Sequence, residues 1–121
     1  MKIRIEGTLP GLNDYIRACR GNRYVGARMK DACEERVAWA IRSHGIQPFT
    51  SRVQLGFRWI EPNMRRDKDN IAFGKKFILD ALVTAGVLPL GDGWKGVEGF
   101  RDSFGIDRHN PRIEVTIERA T

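Results

Sequence analysis

At 121 residues, with 41% apolar and 30% charged content, the chain is long enough for one globular domain with a real core. No run approaches the ~18 consecutive apolar residues of a membrane-spanning helix, so a protein of that class is excluded. The 21 Lys and Arg against 15 Asp and Glu leave a net charge of +6, which points to a polyanionic partner, most often nucleic acid. Residues 1–30 carry seven Lys and Arg against two acids, whereas residues 91–121 carry five against six. The basic N-terminal third, with Arg17, Arg20, Arg23 and Arg28, is therefore the candidate phosphate-facing surface.

Lys2-Ile3-Arg4-Ile5-Glu6 alternates charged and apolar residues, the pattern of a strand and not of a signal peptide, so a cytoplasmic protein is expected. Residues 7–26, rich in Gly, Arg and Asn, read as a long ordered loop with at most a helical turn. Cys19 and Cys33 fit no metal-ligand spacing and read as reduced thiols. Met29, Cys33, Val37, Ala40 and Ile41 repeat at helical spacing over 27–44, and Gly45 stops that helix. Trp39 lies off the stripe, either packed on a strand or facing another molecule. Val53, Leu55, Phe57 and Trp59 alternate as a strand that ends at Glu61-Pro62-Asn63. A second helix is expected over 70–85, burying Ile71, Phe77, Ile78 and Leu82 and stopping at Gly86. Residues 94–104 then form a strand carrying Val97, Phe100 and Phe104, and Ile113, Val115 and Ile117 form the last. The order β-α-β-α-β-β predicts one α+β domain over 1–121, with a mixed sheet and helices packed on one face.

The chemistry concentrates in Arg65-Arg66-Asp67-Lys68-Asp69-Asn70. Entered in extended form, Asp67 and Asp69 point to one side with Cα atoms about 7 Å apart. Converging carboxylates can share a hard divalent cation. Arg65, Arg66 and Lys68 beside them draw phosphate. Acids on a DNA-holding surface repel it unless a cation lies between, which is the physical argument for metal. Asp is also a preferred N-cap, so capping remains open for either residue. Asp92, in Gly91-Asp92-Gly93, is a third carboxylate or a routine turn residue. A 70–85 helix spans about 24 Å, which puts Asp92 at the far pole unless the turn folds back. Asp80 reads as a solvated or ion-paired helix residue, and the isolated His44 and His109 receive no role.

With those residues in view, the chain resembles the RusA family of Holliday junction resolvases. That family is marked by R-R-D-x-D-N at a helix start, a D-A-L-like segment and an acidic turn. Here these are Arg65 to Asn70, Asp80-Ala81-Leu82, and Gly91-Asp92, where a frequent pair of aspartates is reduced to one. The resemblance implies a homodimer that uses Mg²⁺, with Mn²⁺ as a possible substitute, to nick four-way DNA junctions symmetrically in recombination and repair. Asp67, Asp69 and Asp92 would be its metal-binding acids, with Asp92 acting through a folded-back turn or across the dimer. A functional lysine follows the D-x-D by four residues in well-known members, which here is Phe73; counted back from Asp80-Ala81-Leu82, it is Lys76. Seven residues after Asp69 on one continuous helix, Lys76 keeps nearly the same face, while Lys75 is rotated by about 100° and is left to DNA contact. The competing readings are a nuclease for flaps or forks, and a basic DNA-binding protein without catalysis.

Overall fold

The alternating run at residues 53–59 forms a central strand. In a computed structural model describing residues 1–121, the elements are β1 (Lys2–Glu6), α1 (Leu12–Gly21), α2 (Arg23–His44), β2 (Val53–Glu61), α3 (Lys68–Ala72), α4 (Lys75–Thr84), β3 (Val97–Ile106) and β4 (Arg112–Arg119). The strands form one sheet in the order β1-β4-β2-β3. β4 is antiparallel to β1 and β2, while β2 and β3 are parallel because the α3–α4 segment returns the chain to the sheet's starting end. The fold is α+β with a mixed sheet, as the element order predicts.

One face of the sheet is apolar. Ile3, Ile5, Val53, Leu55, Phe57, Trp59, Ile113, Val115 and Ile117 are buried there. They share a core with Cys33, Val37, Ala40 and Ile41 of α2 and with Phe77, Ile78 and Leu82 of α4. Each such aliphatic or aromatic side chain gains about 1.5–3 kcal/mol from leaving water. The opposite face carries Lys2, Arg58, Arg101, Glu114 and Thr116 and no helix. Both cysteines are free, and burial pushes the Cys33 thiol above its usual range. No helix is long and apolar enough to cross a membrane.

Three local expectations are corrected and one left open is settled. The loop expected over 7–26 is mostly helix: α1 and the first turn of α2 form a hairpin joined at Asn22, whose side chain accepts the Tyr24 N–H at 2.8 Å. Gly26 makes the crossing possible, since a Cβ there would lie 2.6 Å from Cys19 Sγ. The single 70–85 helix is instead α3 and α4, broken at Phe73-Gly74, where a Cβ on Gly74 would press on Trp59 at 3.2 Å. The strand expected over 94–104 runs from Val97 to Ile106, with a register shift between Val53 and Gln54 that passes over Glu98. That bulge explains how Val97 and Phe100, three apart, both belong to the helix-bearing side. Finally, of the two places left open for Trp39 the core is not the one taken, since it is 65% exposed, beside Arg4, Ile5 and Glu6 of β1.

Candidate functional site

The site is built where β2 runs out. Glu61, its last residue, is only 6% exposed, and a buried carboxylate is tolerated when a cation and further hydrogen bonds satisfy it. Arg66 supplies both: Nε and Nη2 each donate to the Glu61 carboxylate at 2.9 Å, and Nη1 donates to the Leu9 carbonyl at 2.9 Å. Contrary to the expectation from its place in the motif, the Arg66 fork faces inward. It ties the β1–α1 connection to the end of β2. Arg65 is exposed, with its backbone N–H bound to Asn63 Oδ1 at 3.0 Å.

Asp67 is extended (φ −71°, ψ 153°) and occupies the N-cap of α3, yet its carboxylate accepts no capping bond. Lys68 already opens α3, so Asp69 sits in the first helical turn and the two-residue extended geometry ends at Asp67. Both acids still line one groove of about 500 Å³, together with Met64, Lys68, Phe104 and Ile106. Their flanking cations are turned elsewhere: Arg66 to Glu61, and Lys68 Nζ over the Phe104 ring at 5.6 Å. The two carboxylates are thus exposed and uncommitted.

Asp92 is not with them. It lies beside Trp94, Val97 and Phe100, at the start of β3, whereas the groove abuts Phe104 to Ile106 at its end. Phe100 and Phe104 are about 13 Å apart along an extended strand. The turn carrying Asp92 does not fold back, because Gly96 N–H bonds the Gly93 carbonyl at 3.1 Å and hands the chain straight to β3. Within one chain, no three Asp, Glu, His or Cys side chains come together as metal ligands.

The lysines are also placed differently. Because the helix breaks at Gly74, counting from Asp69 no longer gives the face of Lys76. Its Nζ lies 3.3 Å from Asp80 Oδ1, and the other Asp80 oxygen is 3.3 Å from Lys30 Nζ on α2. The Asp80 carboxylate, and after it Glu34, holds the Lys30 ammonium above its usual range. Lys75 points to the sheet instead: Nζ meets Asp102 Oδ2 at 2.7 Å, above the rings of Phe57 and Phe100. Asp102 and its second donor, Trp59 Nε1 at 2.8 Å, were invisible as site residues in the sequence. A lone acid within a strand and a core tryptophan carry no spacing signal.

Arg17, Arg20, Arg23 and Arg28 are all exposed on the α1–α2 hairpin. Arg23 is partly engaged, donating to the Tyr24 hydroxyl at 2.9 Å. Asn70 anchors this hairpin to the motif. Gly11, the N-cap of α1, has no side chain, and Asn70 Oδ1 accepts the Asn13 N–H at 2.9 Å in its place. The basic hairpin and the acidic groove are therefore fixed relative to one another by the last residue of the motif. No protein-family model matches this sequence, and neither does any curated protein.

Proposed function

We propose that the chain is a Mg²⁺-dependent endodeoxyribonuclease of the RusA type, acting on four-way DNA junctions as a homodimer. One observation carries the reading. In a chain of net charge +6, two exposed carboxylates, Asp67 and Asp69, share a groove with no cation or capping bond answering them. Capping was the competing role for Asp67, and its side chain does not perform it.

The pair suits a hard cation. Mg²⁺ is commonly held by one or two carboxylates, with water and substrate phosphate completing its shell. Asp67 and Asp69 would hold it, and bound there it would neutralise the scissile phosphate and activate water. The remaining roles fall to the chain. Lys68 at the groove and the exposed Arg65 beside the segment would contact phosphate, and Arg17, Arg20 and Arg28 extend the cationic surface along the hairpin anchored by Asn70. Arg66 acts indirectly, by holding the acidic segment against Glu61.

The placement of Asp92 favours its action across a dimer. β3 is a ten-residue edge strand, and a long open edge invites pairing. Antiparallel pairing of two β3 edges would carry the partner's Asp92, at the start of its strand, toward Asp67 and Asp69 at the end of the first. Two equivalent sites then suit paired symmetric incision.

The test compares a synthetic four-way junction, a flap and a plain duplex in Mg²⁺. Asp67→Asn or Asp69→Asn is expected to lower junction nicking by at least a hundredfold, on the order expected for loss of electrostatic transition-state stabilisation, while binding is unchanged or tighter. Near wild-type cleavage by either variant would remove that residue from the site. Binding without cleavage of any substrate would leave a DNA-binding protein, and preference for the flap would redirect the substrate.

A further inference from the structure

The helix-free face of the sheet gathers a second set of charged side chains, on the far side of the sheet from the core. Strand register places them. Lys2 of β1 lies beside Thr116 of β4, Thr116 beside Gly56 of β2, and Gly56 beside Arg101 of β3. In the adjoining row Glu114 lies beside Arg58, and Arg58 beside Ser103. These residues line one hollow of about 250 Å³, with Gly56 and Thr116 at its centre. Its charge is one-sided. The exposed side chains of Lys2 and Arg101 have no hydrogen-bond or ion-pair partner, and Arg58 has only the Ser103 hydroxyl, at a long 3.4 Å. Two acids also line the hollow, and both are engaged. Glu114 accepts Arg112 Nε at 3.0 Å, and the Asp102 carboxylate is turned through to Lys75 and Trp59. Arg112, followed by Lys2 and Arg58, holds the Glu114 carboxyl below its ordinary range.

Stability is a poor account of this arrangement. Like charges gathered on one face of a sheet repel one another. Gly56 is the sharper case. It stands inside a central strand, where glycine gives up side-chain packing and loses the most chain entropy on folding. Its φ is not positive, and an added Cβ would meet Thr116 Cβ at an ordinary 3.6 Å, so neither backbone shape nor space demands glycine. A glycine at such a position leaves the backbone open to close approach by a ligand. Local rules broken together in this way mark functional positions.

We infer that the hollow is a binding site for one phosphate group, held by Lys2, Arg58 and Arg101 over the Gly56 backbone. The Ser103 and Thr116 hydroxyls are further donors. Each guanidinium fork can meet two phosphate oxygens at once, and the lysine adds a point charge. The hollow is smaller than the ~300–1,000 Å³ of sites that enclose a drug-sized molecule, which suits a single charged group. Pairing of β3 edges between two chains would leave this face uncovered, and the site does not rest on the nuclease reading. A small phosphorylated molecule and a nucleic-acid backbone offer the same chemistry to these residues.

The experiment follows the backbone amide resonances of the full chain, without divalent metal, as inorganic phosphate is added, with sodium chloride of matched ionic strength as control. A mononucleotide and a short single-stranded oligothymidylate are titrated in the same way. Phosphate is expected to shift the Gly56, Ser103 and Thr116 amides saturably, with a half-point on the order of 1 mM. Arg58→Gln and Arg101→Gln should each weaken that binding about tenfold, through loss of one charge-assisted contact. Gly56→Val should weaken it at least as far while the thermal midpoint holds or rises, since valine suits a strand. Should Gly56→Val fail to fold, the two arginine variants, exposed and unpaired, decide alone. A linear response no larger than that to chloride is ionic screening and overturns the site. Saturable shifts that persist unchanged in both arginine variants overturn it too. If the oligothymidylate moves the same amides, and each arginine variant lowers its salt slope by about 0.7, the phosphate belongs to a nucleic-acid backbone. Shifts with phosphate and mononucleotide alone assign the site to a small ligand. No arm reads cleavage, so failure of the nuclease reading leaves the outcome intact.

Discussion

Arg66 shows how a residue of the charged segment can be spent inside the fold instead of on its surface. Its fork satisfies a Glu61 carboxylate that is 6% exposed, so removing the guanidinium strands a charge away from water. Arg66→Ala should destabilise the fold by about 3 kcal/mol, the usual result of breaking a buried pair from one side. Pairing Arg66→Met with Glu61→Leu should recover much of that loss, because an apolar pair removes both desolvation penalties together. Urea unfolding of the three variants measures the difference. A single-variant cost below about 0.5 kcal/mol would mean that the pair behaves as an ordinary surface bridge.

Among the elements, the α1–α2 hairpin depends on how closely its helices approach. Helix propensity alone predicts that Gly26→Ala, inside α2, stabilises by about 1 kcal/mol. The structure reverses the sign, because the new Cβ would lie 2.6 Å from Cys19 Sγ. Gly26→Ala should lower the thermal midpoint, and adding Cys19→Ala should restore it or raise it above the starting value. The pair of measurements separates crowding from propensity. The same crossing sets the spacing of Arg17 and Arg20 on α1 from Arg28 on α2, so junction binding should weaken with Gly26→Ala and return in the double variant.

For the whole molecule, acid stability and assembly are both open to test. At the β3–β4 turn, the His109 backbone N–H and then Arg112 hold the Asp107 carboxyl below its ordinary range, and Arg112 does the same for Glu114. The Arg112 guanidinium lies 3.1 Å from Asp107 and 3.0 Å from Glu114. Carboxyls depressed in the folded state add stability that is present above their unfolded range near pH 4, and it is lost as the pH falls through their folded values. Arg112→Gln should therefore flatten the decline in stability below about pH 4 and leave its slope near neutrality unchanged. Assembly is tested by complementation. Asp67→Asn and Asp92→Asn are each expected to be inactive, but a mixed dimer that shares acids across β3 contains one intact site and should nick one strand. If the acids act within one chain, mixing restores nothing.

Strand positions, the α2 and α4 core faces and the α+β class were legible because apolar period follows backbone geometry, and each period needs only near neighbours. Composition misled at residues 7–26, where Gly11, Gly21 and Gly26 read as loop. Gly21 instead ends α1, Gly11 at its start lies against Asn70, and Gly26 lets α2 approach Cys19, while Tyr15 packs edge-on to Phe77 at 5.7 Å. The paired acids Asp67 and Asp69 could be named from the sequence, since both fall in one short charged segment at a helix start, and both line the same groove. What only the tertiary structure decided was which charges are spent. Arg66 is turned to Glu61 and Lys75 to Asp102, partners on other elements, whereas the Lys76–Asp80 pair is one turn apart on α4 and only its sharing with Lys30 of α2 depends on the packing of the helices. Sequence specifies which groups are near one another along the chain, whereas neutralisation of a charge depends on distance through space, and that is set by the packing of α3, α4 and β3 on the core.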